Sequence, residues 1–255
     1  MRFPNTLYVG RYPLLLHSAF EFAGIFIAFR YYLWLKKKQG DIIQSERRMF
    51  VIIGASLGAV LGARVVGSLE NLPAWINSAS PWLYFFGNKT LVGGLVGGLA
   101  GVELVKIMIR EKQNTGDLFT FPLLLGMIIG RLGCFFAGLH EETYGLPSHM
   151  PWALDLGDGT PRHPVTLYEI LFLVLLWIVL ARVKKNYLLF PGALFKMFLI
   201  SYLLFRLCLD FIKPGWRYCF GLGTIQLVCI AGLLYYAKYI LNPRSLIVSK
   251  REYAR

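Results

Sequence analysis

Val165 to Arg182 reads VTLYEILFLVLLWIVLAR, with one acidic side chain, Glu169, and neither proline nor glycine to interrupt it. A run of this length and apolarity matches the ~20 residues that carry a helix across a bilayer, and it decides the class of the chain. Six more runs flank it, at about 14–35, 49–68, 91–109, 118–137, 190–212 and 220–241. With 56% hydrophobic and only 16% charged residues, the chain is too apolar for an ordinary soluble domain. The expected fold is an all-α integral membrane protein of about seven transmembrane helices, one polytopic domain over residues 1–255. Residues 69–90, broken by Pro73 and Pro81 and carrying Trp75 and Trp82, read as a loop or an interfacial helix with aromatic anchors. Met1 to Pro13 shows no cleavable signal peptide, so the first helix is expected to act as an uncleaved anchor.

Lys and Arg set the expected orientation. Lys36, Lys37, Lys38, Arg47, Arg48, Arg110, Lys112, Arg182, Lys184, Lys185 and the tail Arg244, Lys250, Arg251 and Arg255 fall on one side of a seven-helix path. The other side has only Arg2, Arg11, Arg162, Lys213 and Arg217 clearly outside the apolar runs. The basic side faces the cytoplasm by the positive-inside rule, with the amino terminus outside and the carboxyl terminus cytoplasmic. The net charge of +13 is therefore a topology signal, and no aromatic-interleaved basic stripe supports nucleic-acid binding.

Ten ionisable residues interrupt the apolar runs: Glu21, Arg30, Arg64, Lys89, Glu103, Arg131, Glu169, Lys196, Arg206 and Asp210. Each costs at least ~2.5 kcal/mol at mid-helix, so their number implies a polar cavity. In the expected topology most lie in the outer half, together with His17, His140, His149 and His163, whereas Arg30 and Lys196 lie further in and snorkel. A salt-bridge network that fixes helix register is one reading. The surplus of guanidinium groups favours another, an anionic headgroup reached from the outer leaflet, because the planar fork of arginine suits phosphate.

Glycines 54, 58 and 62, and 93, 97 and 101, recur every four residues, the pattern of close helix packing, and Gly93 and Gly94 beside Lys89 would also offer backbone N–H groups to a ligand. Cys134, Cys208, Cys219 and Cys229 sit in or beside apolar helices and read as packing residues. The histidines, with Glu141 or Glu142, match no zinc signature, and neither metal nor cofactor is expected. The connection at 138–164 is long enough to be functional, and its aromatic and proline content argues for order.

Gly130-Arg131-Leu132-Gly133, Tyr144-Gly145 and the run Arg162-His163-Pro164-Val165-Thr166-Leu167-Tyr168-Glu169 resemble the motifs of the bacterial prolipoprotein diacylglyceryl transferase family. Gly93-Gly94-Leu95-Val96-Gly97 and Phe205-Arg206 with Asp210 are similar to two further family motifs, so the resemblance extends over about residues 14–240. It implies a multi-pass enzyme of the bacterial cytoplasmic membrane that moves the diacylglyceryl group of phosphatidylglycerol, or a related anionic lipid, to the lipobox cysteine of a preprolipoprotein signal peptide. A thioether forms and glycerol phosphate leaves.

In that chemistry Arg131 and Arg206 hold the leaving phosphate and Glu169 and Asp210 orient them. Tyr168 meets the headgroup, with Arg162, Gly145, Arg64 and the glycine pair lining the site. This chain departs from the family at Val92, where a histidine base is expected before Gly-Gly, at Cys134 and Leu139, where an asparagine and a glutamate are expected, and at Asp210, in place of glutamate. His163, His17, Lys89 and Glu21 are the candidates for a relocated base, His163 first because it lies in the complete motif. The alternatives are a related transferase with another outer-leaflet lipid or acceptor, and a lipid- or anion-binding membrane protein or transporter without enzymatic activity.

Overall fold

Glycine decides how the first helices meet. In the computed structural model, which describes residues 6–9, 12–141, 143–218 and 220–248, with side chains from residue 16 onward, all seven apolar runs are helical. Arg2, Arg11, Glu142, Cys219, Lys250, Arg251 and Arg255 lie outside the described residues. The chain opens with an antiparallel pair, β1 (Thr6–Val9) and β2 (Tyr12–Leu15), in register Thr6 to Leu15. Then come α1 (Leu16–Gln39), α2 (Ser45–Leu69), two short helices α3 (Leu72–Ile76) and α4 (Pro81–Gly87), and α5 (Leu91–Met108).

α2 lies along α5 so closely that a Cβ added at Gly62 would sit 2.7 Å from Gly97 Cα, and one at Gly54 2.8 Å from Gly101 O. These small residues let two backbones touch, which is how helices associate where lipid removes the hydrophobic drive. α1 packs along α6 (Asp117–Ala137), and α6 continues against α7 (Val165–Asn186). α8 (Ala193–Leu209) packs on α9 (Thr224–Tyr235), which a break at Tyr236 separates from α10 (Ala237–Leu241). Leu124, Leu173, Phe198, Leu199 and Leu203 are fully buried at the centre. Phe22, Phe26, Leu57, Leu61, Ile107 and Leu171 are exposed, apolar surface suited to lipid contact.

Four helices, α2, α5, α6 and α7, are long and apolar enough to cross a membrane, which makes this a membrane protein. The other three differ from the spans expected of them. α1 has the length but carries Glu21, Arg30 and Lys36 to Lys38. The run at 190–212 starts its helix only at Ala193, because Pro191 and Gly192, at φ +81°, make the turn before it. The run at 220–241 is two short helices, entered through Gly221 at φ +77°. Residues 69–90 fold as α3 and α4, each opened by a proline in its first turn, with Trp82 stacked on Phe86. The connection at 138–164 is ordered by a small hairpin, β3 (Leu154–Asp155) with β4 (Pro161–Arg162), and by Asp155, whose carboxylate accepts from the backbone of Gly157, Asp158 and Gly159.

Candidate active site

Glu169 lies in the second turn of α7, 2% exposed, and both its oxygens are used. Oε1 accepts from the Tyr202 hydroxyl at 2.6 Å and pairs with Arg131 Nε at 2.9 Å; Oε2 meets Arg206 Nη1 at 3.3 Å. α6 supplies Arg131 near its end, and α8 supplies Tyr202 and Arg206 one turn apart on one face, followed by Asp210 at 3.8 Å from Arg206 Nη2. Two guanidinium groups thus converge on one buried carboxylate between three helices. Such a cluster is tolerated in a bilayer only when its charges are matched, so a structural role alone would leave no coordination unfilled. Here Arg206 Nε is buried with no hydrogen-bond partner.

Arg217 approaches from the loop before α9. Its Nη1 donates to Gln226 Oε1 at 3.0 Å and its Nη2 to Asp210 O at 3.0 Å. It adds positive charge behind Asp210, and neither Tyr202 nor Arg217 was among the residues expected at the site. Tyr202 has a signal in the sequence, the four-residue spacing Tyr202, Arg206, Asp210. Arg217 has none, since only the fold of its loop turns it inward.

A second group forms beside Arg131. Arg131 Nη1 lies 3.7 Å from Cys134 Sγ, and the His17 backbone packs against the neighbouring Gly133, where a Cβ would lie 3.1 Å from His17 O. His17 Nε2 lies 3.3 Å from Glu141 Oε1 and 3.7 Å from Glu21 Oε2, and Glu21 takes Lys89 Nζ at 2.6 Å on both oxygens. Cys134, read as a packing residue, is therefore part of a polar group. Lys89 and Glu21 neutralise each other, so neither adds to the cationic surplus expected of the cluster.

His163 stands apart from these residues. Its Nδ1 is 3.2 Å from the Tyr168 hydroxyl, which accepts from Trp152 Nε1 at 2.7 Å. Gly145 packs beneath it, where a Cβ would lie 2.6 Å from His163 Cβ and O. Arg162 holds Asp158 with two hydrogen bonds, at 2.5 and 3.1 Å, and lies over the Tyr144 ring. That hydrogen bonding keeps the exposed Asp158 carboxyl below its ordinary range.

Three positions expected at the ligand are otherwise engaged. The Gly93 N–H donates to Thr90 Oγ1 at 3.1 Å and the Gly94 N–H to Thr90 O at 3.0 Å, so the first turn of α5 consumes both donors. Arg64 donates to the carbonyls of Phe86 and Asn88, tying the end of α4 to α2. Deeper charges are also occupied: Lys106 pairs with Glu103 at 3.1 Å, and Lys196 reaches the Tyr239 hydroxyl at 3.1 Å. A cavity of about 380 Å³ lies at the other end of the bundle, lined by Gln39, Arg48, Asn114, Asp117, Lys184 and Tyr187 among others, and shares no residue with the arginine cluster.

Residues 4–241 match the family model described as prolipoprotein diacylglyceryl transferase. The phosphatidylglycerol–prolipoprotein diacylglyceryl transferase of Bordetella avium is 31% identical over 230 residues, 82% of this chain and 81% of that protein. That of Bordetella parapertussis is 35% identical over 178 residues, 64% of this chain and 63% of that protein. The Finegoldia magna protein of the same name is 34% identical over 158 residues, 58% of this chain and 62% of that protein. The chain thus matches less than two thirds of the length of the last two relatives.

Proposed function

This chain belongs to the prolipoprotein diacylglyceryl transferase family, and we propose that it transfers the diacylglyceryl group of phosphatidylglycerol to the lipobox cysteine of a preprolipoprotein. The convergence of Arg131 and Arg206 on Glu169 carries this reading. In the reaction the acceptor thiolate attacks the glyceryl carbon bonded to the phosphate oxygen. The carbon–sulfur bond forms, the carbon–oxygen bond breaks, and glycerol phosphate leaves with one more negative charge than the diester held. Donors fixed where that charge develops lower the barrier, and removing one such donor typically costs about 100- to 1000-fold. Glu169 fixes both guanidinium planes, and Asp210 steadies Arg206 from its far side.

The thiol must reach the carbon as thiolate, and free cysteine titrates near ~8.5. His163 is the proposed proton acceptor for the incoming peptide. It is partly exposed on the ordered loop, where a peptide reaches it, and the Tyr168 hydroxyl orients its ring, next in sequence to Glu169. Arg162, on the same loop, is a candidate contact for the lipid headgroup. The site is proposed to face the outer half of the bacterial cytoplasmic membrane, with the amino terminus outside and the carboxyl terminus in the cytoplasm. Reporter fusions after Lys38, Lys112 and Lys185 would then read cytoplasmic and one within 143–160 external; the reverse pattern would overturn this orientation.

The central test incubates the purified protein with labelled phosphatidylglycerol and a lipobox peptide. The expected products are a thioether-linked diacylglyceryl peptide and glycerol phosphate, identified by mass spectrometry. Lipid binding with neither product would favour a binding protein built on the same scaffold.

A further inference from the structure

The cavity at the basic end of the bundle, about 380 Å³, lies where the ends of α1, α6, α7 and α8 meet, and diacylglyceryl transfer makes no use of it. Its charged lining is settled except at one residue. Arg48 is taken by Asp41 and the Thr115 carbonyl, and the Asp117 carboxylate accepts from the backbone of α8, from Gly192 N at 2.6 Å and Phe195 N at 3.0 Å. Lys184 is different. A lysine in the last turn of a spanning helix ordinarily extends its ammonium to water. This one turns inward, donating to the neutral Gln39 Oε1 at 2.8 Å, with Nζ 5.8 Å from the centre of the Phe121 ring. No carboxylate of the described residues lies within 4 Å of it, and Asp117 acts on it only from beyond that distance.

Leu118, Leu188, Leu189 and Leu194 form an apolar wall of the same cavity. The chain after α10 holds that wall in place: Val248 N donates to Leu188 O at 2.8 Å, and Leu189 bridges Ile247. α6 begins at the cavity with Asp117 and Leu118 and has no side-chain cap, so the positive end of its dipole falls there. The two sides of the cavity select its occupant. A soluble anion would leave four leucines against water, and an acyl chain alone would leave an ammonium without a counter-charge. A phosphodiester headgroup joined to the first methylenes of its chains meets both sides. Lys37, Arg182 and Lys185, exposed at the same end, add the attraction that draws anionic lipid to a basic surface.

We propose that this cavity is a second lipid site, which binds the headgroup of an anionic phospholipid with Lys184 on the phosphate and the leucine wall against the first methylenes of the chains. The lipid bound here is not the one consumed, because the cavity shares no residue with the arginine cluster. It joins α1 to α7 through Gln39 and Lys184, at the end of the bundle away from the reaction. Which leaflet supplies it rests on the orientation proposed above, and that orientation makes it the cytoplasmic one.

The test places the full chain in detergent micelles with phosphatidylglycerol whose acyl chain carries a diazirine beside the ester, and maps the photolabelled peptides by mass spectrometry. Labelling within 114–118, at the start of α6, is the expected result. Excess phosphatidylglycerol should compete it away, whereas phosphatidylcholine and free glycerol phosphate should compete poorly. Lys184→Gln should lower the labelling about fivefold, the share of one lysine in holding an anionic lipid. Lys185→Gln, next in sequence but outside the lining, should change it little. Leu188→Trp, which fills the cavity from an exposed position and keeps every charge, should abolish it, and it decides the matter if Lys184→Gln fails to fold. Equal competition by phosphatidylcholine would reduce the site to apolar contact, and strong competition by glycerol phosphate would make it a site for a soluble anion. Equal losses in Lys184→Gln and Lys185→Gln would mean diffuse attraction to a basic surface. Each of these, or a parent protein unlabelled within 114–118, would overturn the proposal. Transfer to a lipobox peptide, followed in the same samples, is a separate readout: its absence beside intact labelling overturns the transferase reading alone.

Discussion

Arg48 and the pair Arg131 and Arg206 are buried guanidinium groups at opposite ends of one helix bundle, and they are satisfied differently. Arg48, 1% exposed in the first turn of α2, gives Nε to Asp41 Oδ2 at 2.7 Å, Nη2 to Asp41 Oδ1, and Nη1 to the Thr115 carbonyl at 3.0 Å. Asp41, which Lys36 also approaches at 3.8 Å, holds Arg48 in a bidentate fork, and a backbone carbonyl takes the remaining face. About 21 Å further along α6, at 1.5 Å per residue from its start, two arginines share Glu169, with Asp210 a further 3.8 Å from Arg206, and Arg206 Nε has no hydrogen-bond partner. The closed pair joins α2 to the chain before α6. The open cluster keeps coordination for something outside the protein, which is why it, and not the roomier cavity beside Arg48, is taken as the site.

The sharpest break between the two ends is expected in catalysis. Arg131→Lys and Arg206→Lys should each lower diacylglyceryl transfer by about 100-fold or more, because an ammonium keeps the charge but cannot hold Glu169 and a phosphate in one plane. Transfer close to the original rate in both variants would make this cluster as structural as Arg48.

Arg48→Ala should do the reverse. It leaves the part-buried Asp41 with only Lys36, 3.8 Å away, and empties a fully buried side-chain site, a loss of about 3 kcal/mol in stability, while transfer per folded molecule is kept. Denaturant unfolding in detergent, set beside activity normalised to folded protein, measures both. Tyr202→Phe should fall between the two. It removes a 2.6 Å donor from a charged, buried carboxylate, worth about 1.5–3 kcal/mol, and loosens the frame on which both arginines rest. An unchanged unfolding midpoint would show that Glu169 finds another donor.

The apolar runs were legible because a spanning helix must satisfy its own backbone and so leaves a long, uninterrupted signal. The glycine ladders of α2 and α5 were legible for the same local reason. Gly93 and Gly94 were legible as packing but misleading as ligand donors, since the Thr90 cap that consumes their N–H groups depends on the extended backbone at residue 90. Arg131, Glu169 and Arg206 were readable singly, from the cost of charge in a membrane, and Glu169 was readable as their orienting partner only through the family motif. The approach of His17 to the α6 backbone beside Cys134 was not readable, since it depends on how α1 crosses α6 at Gly133. Cys134 alone carries the signature of a packing residue.

The finest test of the closed end is its response to acid. Burial alone would raise the Asp41 carboxyl; the hydrogen bond and charge of Arg48 outweigh it and hold the group below its ordinary value of 3.8. Because the folded value is the lower one, the stabilisation is fully present above the unfolded pKa and is lost as pH falls through the folded value. Hydrogen exchange at the first turn of α2, corrected for intrinsic rates, should therefore be flat from pH 7 to about 4.5 and rise below it. Asp41→Asn should exchange faster than the parent across the neutral range, and the two should converge in acid. Convergence near pH 6 would mean that a histidine, not the Arg48–Asp41 pair, governs that end of the bundle.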